Sequence, residues 1–304
     1  MIVNRAAISA LFVNLKATFN NAFQAAPTTW ERIAMKVPST TAGEDYVWLS
    51  NFPRMRRWIG EKFIRSLKAF KYSIVNEDWE ATVEVDRNDI EDDRLGIYRP
   101  QAEAAGVSAK QLPDEIVGEV VAGVFTKPCF DGQYFCDTDH PVIVDGKETS
   151  ASNKSTAALS IATQAAAMAS FGAARTAMRK LKDDEGRPLN VNPNILLVAT
   201  NIEDTAKALM TTDRLEDGKP NLYKGACEVV VSPWLPDNAW LLLDTTKPVK
   251  PFIYQERKKP EFVSQTSMEN DQVFMQKKFR FGAEARAAGG YGFWQLCHGS
   301  TGQG

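Results

Sequence analysis

Charge is segregated along residues 54–93 more sharply than anywhere else in the chain. Residues 54–71 carry seven basic side chains against one acidic side chain, and residues 77–93 carry nine acidic side chains against one basic side chain. Within the acidic stretch, Thr82–Val85 has the alternation and the β-propensity of a strand. The pattern predicts an extended hairpin whose first arm is basic and whose second arm is acidic.

The residues leave two interpretations of these arms open. They could be solvated faces of an exposed sheet, where isolated ion pairs contribute little to stability. They could instead be complementary surfaces that set register and partner choice between copies of the chain. The second interpretation gives a set of candidate inter-subunit residues: Arg54, Arg56, Arg57, Lys62, Arg65, Lys68, Lys71, Glu77, Glu80, Glu84, Asp92 and Asp93.

The composition excludes several classes of protein. The chain has 304 residues, enough for two domains, and is 44% hydrophobic and 24% charged, as in ordinary globular proteins. A net charge of −2 argues against a dedicated nucleic-acid binder, which normally has a basic excess. The four cysteines are scattered without a CxxC pair, which argues against a zinc ribbon or a redox motif. No apolar run approaches the length of a membrane span, so we expect a soluble protein.

Three segments have helical periodicity. Apolar residues recur every three or four positions over about residues 5–24, which predicts an amphipathic helix that docks on its own domain or on a neighbouring subunit. Pro113 is expected to begin a second helix that ends before Pro128, because proline suits the first helical position. Ser155–Lys182 is rich in alanine and predicts a long helix with Met168 on its apolar side.

The second half of the chain is also rich in strand patterns, so the residues alone predict an α+β protein. The expected strands are Ile195–Ala199, Cys227–Ser232, Trp240–Asp244, Phe252–Gln255, Glu261–Ser264, Val273–Phe281 and Phe293–His298.

The stretch Phe130–Val142, FDGQYFCDTDHPV, offers the strongest candidate for chemistry. Asp137, Asp139 and His140 could form the metal site of a hydrolase, or the histidine could be hydrogen-bonded inside a loop of turn-forming residues. The pair Asp131-Gly132 predicts a two-residue hairpin turn with positive φ at both positions. The sequence contains no GxSxG, HExxH or phosphate-binding loop, so it predicts neither an enzyme nor a cofactor.

Several segments, in this order and spacing, resemble the major head (capsid) subunits of phage Mu and Mu-like prophages, the gpT family. They are VPSTTAGEDYVWLSNFPRMRRWIGEK (Val37–Lys62), VEVDRNDIEDDRLGIYRP (Val83–Pro100), PDEIV (Pro113–Val117), FDGQYFCDTDHPV (Phe130–Val142) and GFWQLCHG (Gly292–Gly299).

The resemblance implies the Hong Kong 97 phage-type capsid fold, an α+β fold. It divides the chain into an N-terminal arm at 1–51, an extended hairpin loop at 52–93, a peripheral domain at 94–149 and 266–304 with a spine helix at about 100–127, and an axial domain at 150–265.

The function implied is that of a major capsid protein, not an enzyme. Copies are expected to self-assemble in the bacterial host cytoplasm into hexamers and pentamers of an icosahedral phage head, which encloses double-stranded DNA without sequence-specific binding. The resemblance implies a separate scaffolding protein, maturation protease and portal as partners. It leaves open whether decoration proteins bind, and it implies no cofactor and no membrane. The alternatives are the hydrolase that uses Asp137, Asp139 and His140, and a non-capsid oligomeric binding protein that dimerises through its N-terminal helix.

Overall fold

The computed structural model describes residues 5–50, 72–91, 95–144, 147–183, 186–265, 267, 275 and 277–304. In these ranges the α-helices are α1 (Arg5–Ala25), α2 (Arg87–Glu91), α3 (Arg99–Ala122), α4 (Gln164–Ala167), α5 (Ala173–Lys180) and α6 (Glu203–Thr211). The strands are β1 (Ala34–Pro38), β2 (Gly43–Asp45), β3 (Ser73–Val75), β4 (Glu77–Asp86), β5 (His140–Val144), β6 (Lys147–Ala151), β7 (Lys154–Ser155), β8 (Ile195–Ala199), β9 (Glu228–Ser232), β10 (Trp240–Leu243), β11 (Phe252–Gln265), β12 (Lys278–Tyr291) and β13 (Cys297–Ser300).

Two larger sheets organise these elements. One has four strands in the order β1-β11-β12-β4, and the other has five in the order β7-β13-β10-β8-β9. The small antiparallel pairs β2–β3 and β5–β6 stand apart from both sheets. The mixture of helices and sheets confirms the α+β class expected from the sequence.

The five-stranded sheet lies in the larger hydrophobic core. All five residues of β8 and all four of β10 are buried, as expected for central strands covered on both faces. Phe171 and Met178, on the helical segment from α4 to α5, and Leu209 on α6 belong to the same core. The predictions of strands at Ile195–Ala199 and Trp240–Asp244 are therefore confirmed.

The helix α1 packs on the four-stranded sheet and on α3. The Phe12 ring lies edge-on to the rings of Phe279 and Phe281 of β12, with centroids 6.4 and 6.1 Å away. Ile8 and Leu15 are buried in the same cluster. The predicted amphipathic helix is confirmed, and it docks on its own chain.

The helix α3 differs from its prediction at Pro113. The proline lies inside a helix that begins at Arg99, with Pro100 in its first turn. A proline inside a helix removes one backbone hydrogen bond and normally kinks or ends the helix. Burial offsets this cost here: Leu112, Pro113 and Ile116 are all buried in the core. Tertiary packing has overridden a local stop signal.

The alanine-rich segment also begins later than predicted. Its first helical residue is Gln164, and the hydroxyl oxygen of Thr163 accepts a hydrogen bond from the Ala166 N–H as a cap. A π-helical turn at Met168–Gly172 shifts the residues that face the core, because the extra residue rotates the following turn. Met168, which was predicted to lie on the apolar side of this helix, is 48% exposed.

The C-terminal strands depart from their predicted lengths. The two short strands expected at Phe252–Gln255 and Glu261–Ser264 are one strand, β11, which has register irregularities where it pairs with β12 near Lys258. The last strand is only Cys297–Ser300, after a 3₁₀ turn. Part of the strand predicted at Val273–Phe281 lies outside the described residues.

The predicted division into domains does not follow the sheets. β11 lies within the segment 150–265 but pairs with β12 of the C-terminal segment, and β13 of that segment pairs with β10. The boundaries near 150 and 265 stay predictions, and the C-terminal residues contribute a strand to each sheet.

Candidate functional site

Only residues 77–86 of the predicted acidic arm form a strand, β4, because Arg87–Glu91 is the short helix α2. The neighbour of β4 in the described sheet is β12. Glu84 Oε1 accepts hydrogen bonds from Nε and Nη2 of Arg280 at 3.0 and 2.7 Å, and Oε2 accepts one from Lys278 Nζ at 2.5 Å. Hydrogen bonds from Lys278 and then Arg280 hold the pKa of Glu84 below its ordinary value. Arg286 Nε and Asp78 Oδ1 lie 2.7 Å apart and form an ion pair without a hydrogen bond between these two atoms. Basic residues of β12 therefore neutralise part of the acidic arm within one chain.

Glu77 and Glu80 lie on the same strand in a different situation. Both are exposed, and no cation in the described part of the chain pairs with either. The Thr82 hydroxyl donates a hydrogen bond to Glu80. Their exposure leaves these two carboxylates accessible to solvent, on a strand that is at the edge of the described sheet.

The remaining inter-subunit candidates lie outside the described residues, so their role stays a prediction. They are Arg54, Arg56, Arg57, Lys62, Arg65, Lys68, Lys71, Asp92 and Asp93.

The stretch Phe130–Val142 connects the end of α3 to β5 through a tight turn. The Gly132 N–H donates to the Cys129 carbonyl oxygen at 3.1 Å, and the Cys129 N–H donates to the Gln133 carbonyl oxygen at 2.7 Å. Of the pair Asp131-Gly132, only Gly132 has positive φ, +90°. The predicted two-residue turn is therefore wrong, because the loop has three residues and ends on a left-handed glycine, another common hairpin geometry.

The three residues of the hydrolase hypothesis are not brought together. Asp137 Oδ1 accepts the Thr138 N–H at 2.8 Å, and its Oδ2 accepts the Tyr134 N–H at 3.2 Å. Asp139 is exposed, whereas the His140 side chain is fully buried. Asp137 thus shapes the loop, and the partners of His140 lie elsewhere.

His140 is held by Asp131, Asn153 and Trp294. Its Nδ1 lies 2.7 Å from Asp131 Oδ2, its Nε2 lies 3.2 Å from Asn153 Oδ1, and its ring stacks on the Trp294 ring at 4.0 Å. Asn153 Nδ2 donates to three carbonyl oxygens, which fixes its Oδ1 as the atom that faces the ring. Both ring nitrogens therefore lie within hydrogen-bonding distance of side-chain oxygens.

Asp131 supplies the negative charge of this cluster. Burial raises the pKa of Asp131, but hydrogen bonds from His140, the Cys129 thiol and the Gln133 N–H outweigh burial and leave the pKa below its ordinary value. The Cys129 thiol, the Gln133 N–H and the His140 ring all contact the carboxylate oxygens, so hydrogen bonds offset the cost of its burial.

Cys129, Asp131 and His140 are also the one set of described residues whose ligand atoms could hold a metal ion, since these atoms lie within 4.8 Å of one another. Zinc takes such ligands, but it needs a thiolate and a fourth ligand. Burial and the charge of Asp131 raise the pKa of Cys129, and its thiol donates to Asp131 Oδ1 at 3.0 Å. The Cys129 thiol, the Asp131 carboxylate and His140 Nδ1 are thus already hydrogen-bonded to one another. We therefore interpret the cluster as a structural one, and call it, together with Asn153 and Trp294, the buried joint.

Asn153 is the residue of this joint that the sequence did not single out. It lies in a short polar segment that predicts a linker, yet it is 1% exposed. Its side chain binds backbone atoms of the turn, of Trp294 and of Cys297. No local pattern distinguishes it from its exposed neighbours.

The other histidine, His298 of β13, is buried in a different environment. Its Nε2 lies 3.3 Å from the Ser155 hydroxyl oxygen, and its Nδ1 has no hydrogen-bond partner in the described part of the chain. Burial lowers the pKa of His298 from 6.5 to about 4.

His298 should therefore make stability depend on pH. Above pH 6.5 it is neutral in both states; below that the unfolded chain binds the proton first, so stability is lost as the pH falls towards about 4. Between neutral pH and about pH 4.5 we expect the wild type to lose about 2–3 kcal/mol more of its unfolding free energy than His298→Gln loses. Urea unfolding at a series of pH values measures this difference, and parallel curves for the two proteins would contradict it.

Comparison with known proteins decides the identity of the chain. The sequence matches the family described as "Mu-like prophage major head subunit gpT" over residues 8–168, 158–235 and 236–303. It is 33% identical to the major capsid protein of Escherichia phage Mu over 296 residues, which are 97% of this chain and 74% of that protein. The chain belongs to the Mu-like gpT family of major head subunits.

Solved structures agree with the family. The chain of the procapsid of bacteriophage JBD30 has a TM-score of 0.63 and 32% identity, over 98% of this chain and 76% of that one. The chain of the JBD30 capsid decorated with minor capsid protein trimers has a TM-score of 0.60 and 29% identity, over 78% of this chain and 100% of that one. The fold expected from the resemblance is confirmed.

This gpT-family chain is a major capsid protein, and its place is the phage head. None of its described helices is long and apolar enough to cross a membrane. The charged face of β4 and the buried cluster around His140 are thus parts of a capsid subunit.

Proposed function

We propose that copies of this chain form the hexamers and pentamers of a closed icosahedral shell around double-stranded DNA, and that the role is structural and not catalytic. The observation that supports this most is the similarity to the JBD30 procapsid chain over nearly the whole sequence. A net charge of −2 suits the proposal, since a shell interior must let packaged DNA slide rather than bind it tightly.

Within this shell we propose the division expected from the resemblance: residues 1–51 as an arm, 52–93 as an extended loop, and 94–149 with most of 266–304 as a peripheral domain around the spine helix. The axial domain would be 150–265. The sheets support one adjustment, namely that β11 belongs with the peripheral strands and β13 with the axial strands, because each is hydrogen-bonded there.

Contacts between copies would use the basic arm against carboxylates such as Glu77 and Glu80. Both are exposed on an edge strand, whereas Glu84 is already held by Lys278 and Arg280 of its own chain. Charge complementarity of this kind mainly sets register and choice of partner. We further propose a separate scaffolding protein, maturation protease and portal, and a site for decoration proteins like the trimers on the JBD30 capsid.

Reversing the charge of Arg54, Arg56 and Arg57 to Glu should reduce the yield of shells. Each lost ion pair between copies weakens every repeated contact, and about 1.4 kcal/mol per contact lowers its association constant tenfold. Negative-stain microscopy and light scattering measure the yield, and circular dichroism checks that the chain is folded.

The matched control changes the same three residues to Lys, which keeps the charge and should keep assembly. A normal yield of shells from the Glu variant would contradict the role of the basic arm. Small defined oligomers from the wild type, with no shells or capsomers, would contradict the proposed function itself.

A further inference from the structure

Two buried cysteines lie in contact although they are far apart in sequence. Cys136 lies between α3 and β5, after the turn at Gly132, and Cys297 is the first residue of β13. Both are free thiols, and both are fully buried. Their Sγ atoms are 3.7 Å apart across 161 residues of chain.

The backbone around the two sulfur atoms is fixed. Asn153 Nδ2 donates to the carbonyl oxygens of Phe135 and Cys297 at 2.8 and 3.3 Å, so one side chain holds both cysteine segments. A Cβ placed on Gly299 would lie 2.6 Å from Cys136 Sγ. Cys297 and Gly299 point to the same side of β13 because they are two residues apart. The glycine therefore leaves room for the Cys136 sulfur beside Cys297.

We propose that Cys136 and Cys297 are an oxidation site: a pair of thiols in the head as it assembles, and an intramolecular disulfide in the particle after release. The sulfur atoms, now 3.7 Å apart, must approach by roughly 1.6 Å to reach a disulfide bond of about 2.05 Å. Rotation of two side chains about their Cα–Cβ bonds can supply a movement of this size.

The chemistry needs an oxidant, and hydrogen peroxide is small and neutral enough to reach a buried thiol. One thiol is oxidised to a sulfenic acid while the peroxide O–O bond breaks and one water is formed. The second sulfur then attacks the first; the S–O bond breaks, and the hydroxyl leaves with the second thiol's proton as another water. Two thiols lose two electrons in total, and one peroxide is reduced to two waters.

The redox state of the compartment and the burial of the thiols together determine when the disulfide forms. The reducing cytoplasm keeps thiols reduced, whereas disulfides persist on particles outside the cell. Burial, followed by the contact with Cys136, raises the pKa of Cys297, so little reactive thiolate forms at neutral pH. Oxidation should accordingly take hours, after assembly is complete.

The bond would tie the loop after α3 to the five-stranded sheet. It closes a long loop that contains β7, β8, β9 and β10 and ends at the first residue of β13, and chain entropy predicts a larger stabilisation for longer loops. We expect the melting temperature of the oxidised chain to rise by about 5–10 °C and to fall back on reduction.

The test uses the full-length chain purified with a reductant, carrying Cys227→Ser to avoid links between molecules through that half-buried thiol. After hydrogen peroxide treatment, the free thiols are blocked in denaturant and the peptides are mapped without reduction. A peptide pair joined through Cys136 and Cys297, with the higher melting temperature, is the expected result. The same map on purified heads tests the released particle.

Cys136→Ala serves as the first control and should show neither the linked peptides nor the rise in melting temperature. Cys129→Ser should still form the bond, because Cys129 belongs to the cluster of Asp131 and His140. Free Cys136 and Cys297 after oxidation, a link through Cys129 instead, or a bond that leaves the melting temperature unchanged would each overturn the proposal.

Discussion

Replacing Asn153 with alanine should lower the free energy of unfolding by about 3–5 kcal/mol. The side chain is buried, and its Nδ2 donates to the carbonyl oxygens of Phe135, Trp294 and Cys297. Its Oδ1 accepts from the Asp137 N–H at 2.8 Å and lies 3.2 Å from His140 Nε2. Alanine would leave these buried groups without partners, and each unsatisfied group costs about 1–3 kcal/mol.

Urea unfolding of the unassembled chain at neutral pH measures this loss. The control is Ser152→Ala, one residue earlier, where an exposed hydroxyl donates to the carbonyl oxygens of Asp137 and Lys154. That change should cost under about 1 kcal/mol, because water can replace the exposed bonds. A loss of less than about 1 kcal/mol for Asn153→Ala would show that the joint tolerates its removal.

The sequence identified the place of this joint but not its partners. Phe130–Val142 contains the turn and the histidine, and local chemistry indicated a hydrogen-bonded His140. The bond to Asp131 rather than Asp137 or Asp139 depends on the three-residue loop, whose length the Asp-Gly pair does not specify. The stack on Trp294 joins residues more than 150 positions apart, which no local pattern can indicate.

The elements that followed their predictions are those whose stability is local or fully buried. The apolar stripe of α1 and the continuous apolar run of β8 are both buried, and in each case the sequence pattern alone indicates which residues face the core. The elements that departed are those where tertiary packing overrides a local signal, as at Pro113 within α3. The π-helical turn at Met168–Gly172 changes the period within one helix, so a fixed period of 3.6 misplaces Met168.

The crossing of α1 and α3 depends on small residues that sequence periodicity did not single out. Ala102, Ala105, Gly106 and Ala109 of α3 are buried and spaced along one helix face. A Cβ on Gly106 would lie inside contact distance of the Phe19 carbonyl oxygen, and 3.0 Å from the Ala22 Cβ. The two backbones approach this closely because the position is glycine.

Gly106→Leu should therefore loosen α1 and lower the free energy of unfolding by about 3 kcal/mol. Leucine is the better helix former by about 0.8 kcal/mol, so helix propensity alone predicts the opposite sign. The clash is with backbone, which cannot move aside as a flexible side chain can, so α1 must shift away from α3. Hydrogen exchange followed by mass spectrometry should show protection lost in α1 and kept in β8 and β10.

Ala104→Leu supplies the matched control, because Ala104 lies on the exposed face of the same helix two residues earlier. The same side chain placed there should change stability by no more than about 0.5 kcal/mol. Equal stability for the two variants, or unchanged protection of α1 in Gly106→Leu, would mean that the close approach of α1 and α3 does not depend on a glycine at position 106. If instead only Gly106→Leu loosens α1, this helix is held by close backbone packing as well as by the burial of Ile8, Phe12 and Leu15 against the sheet and its neighbours.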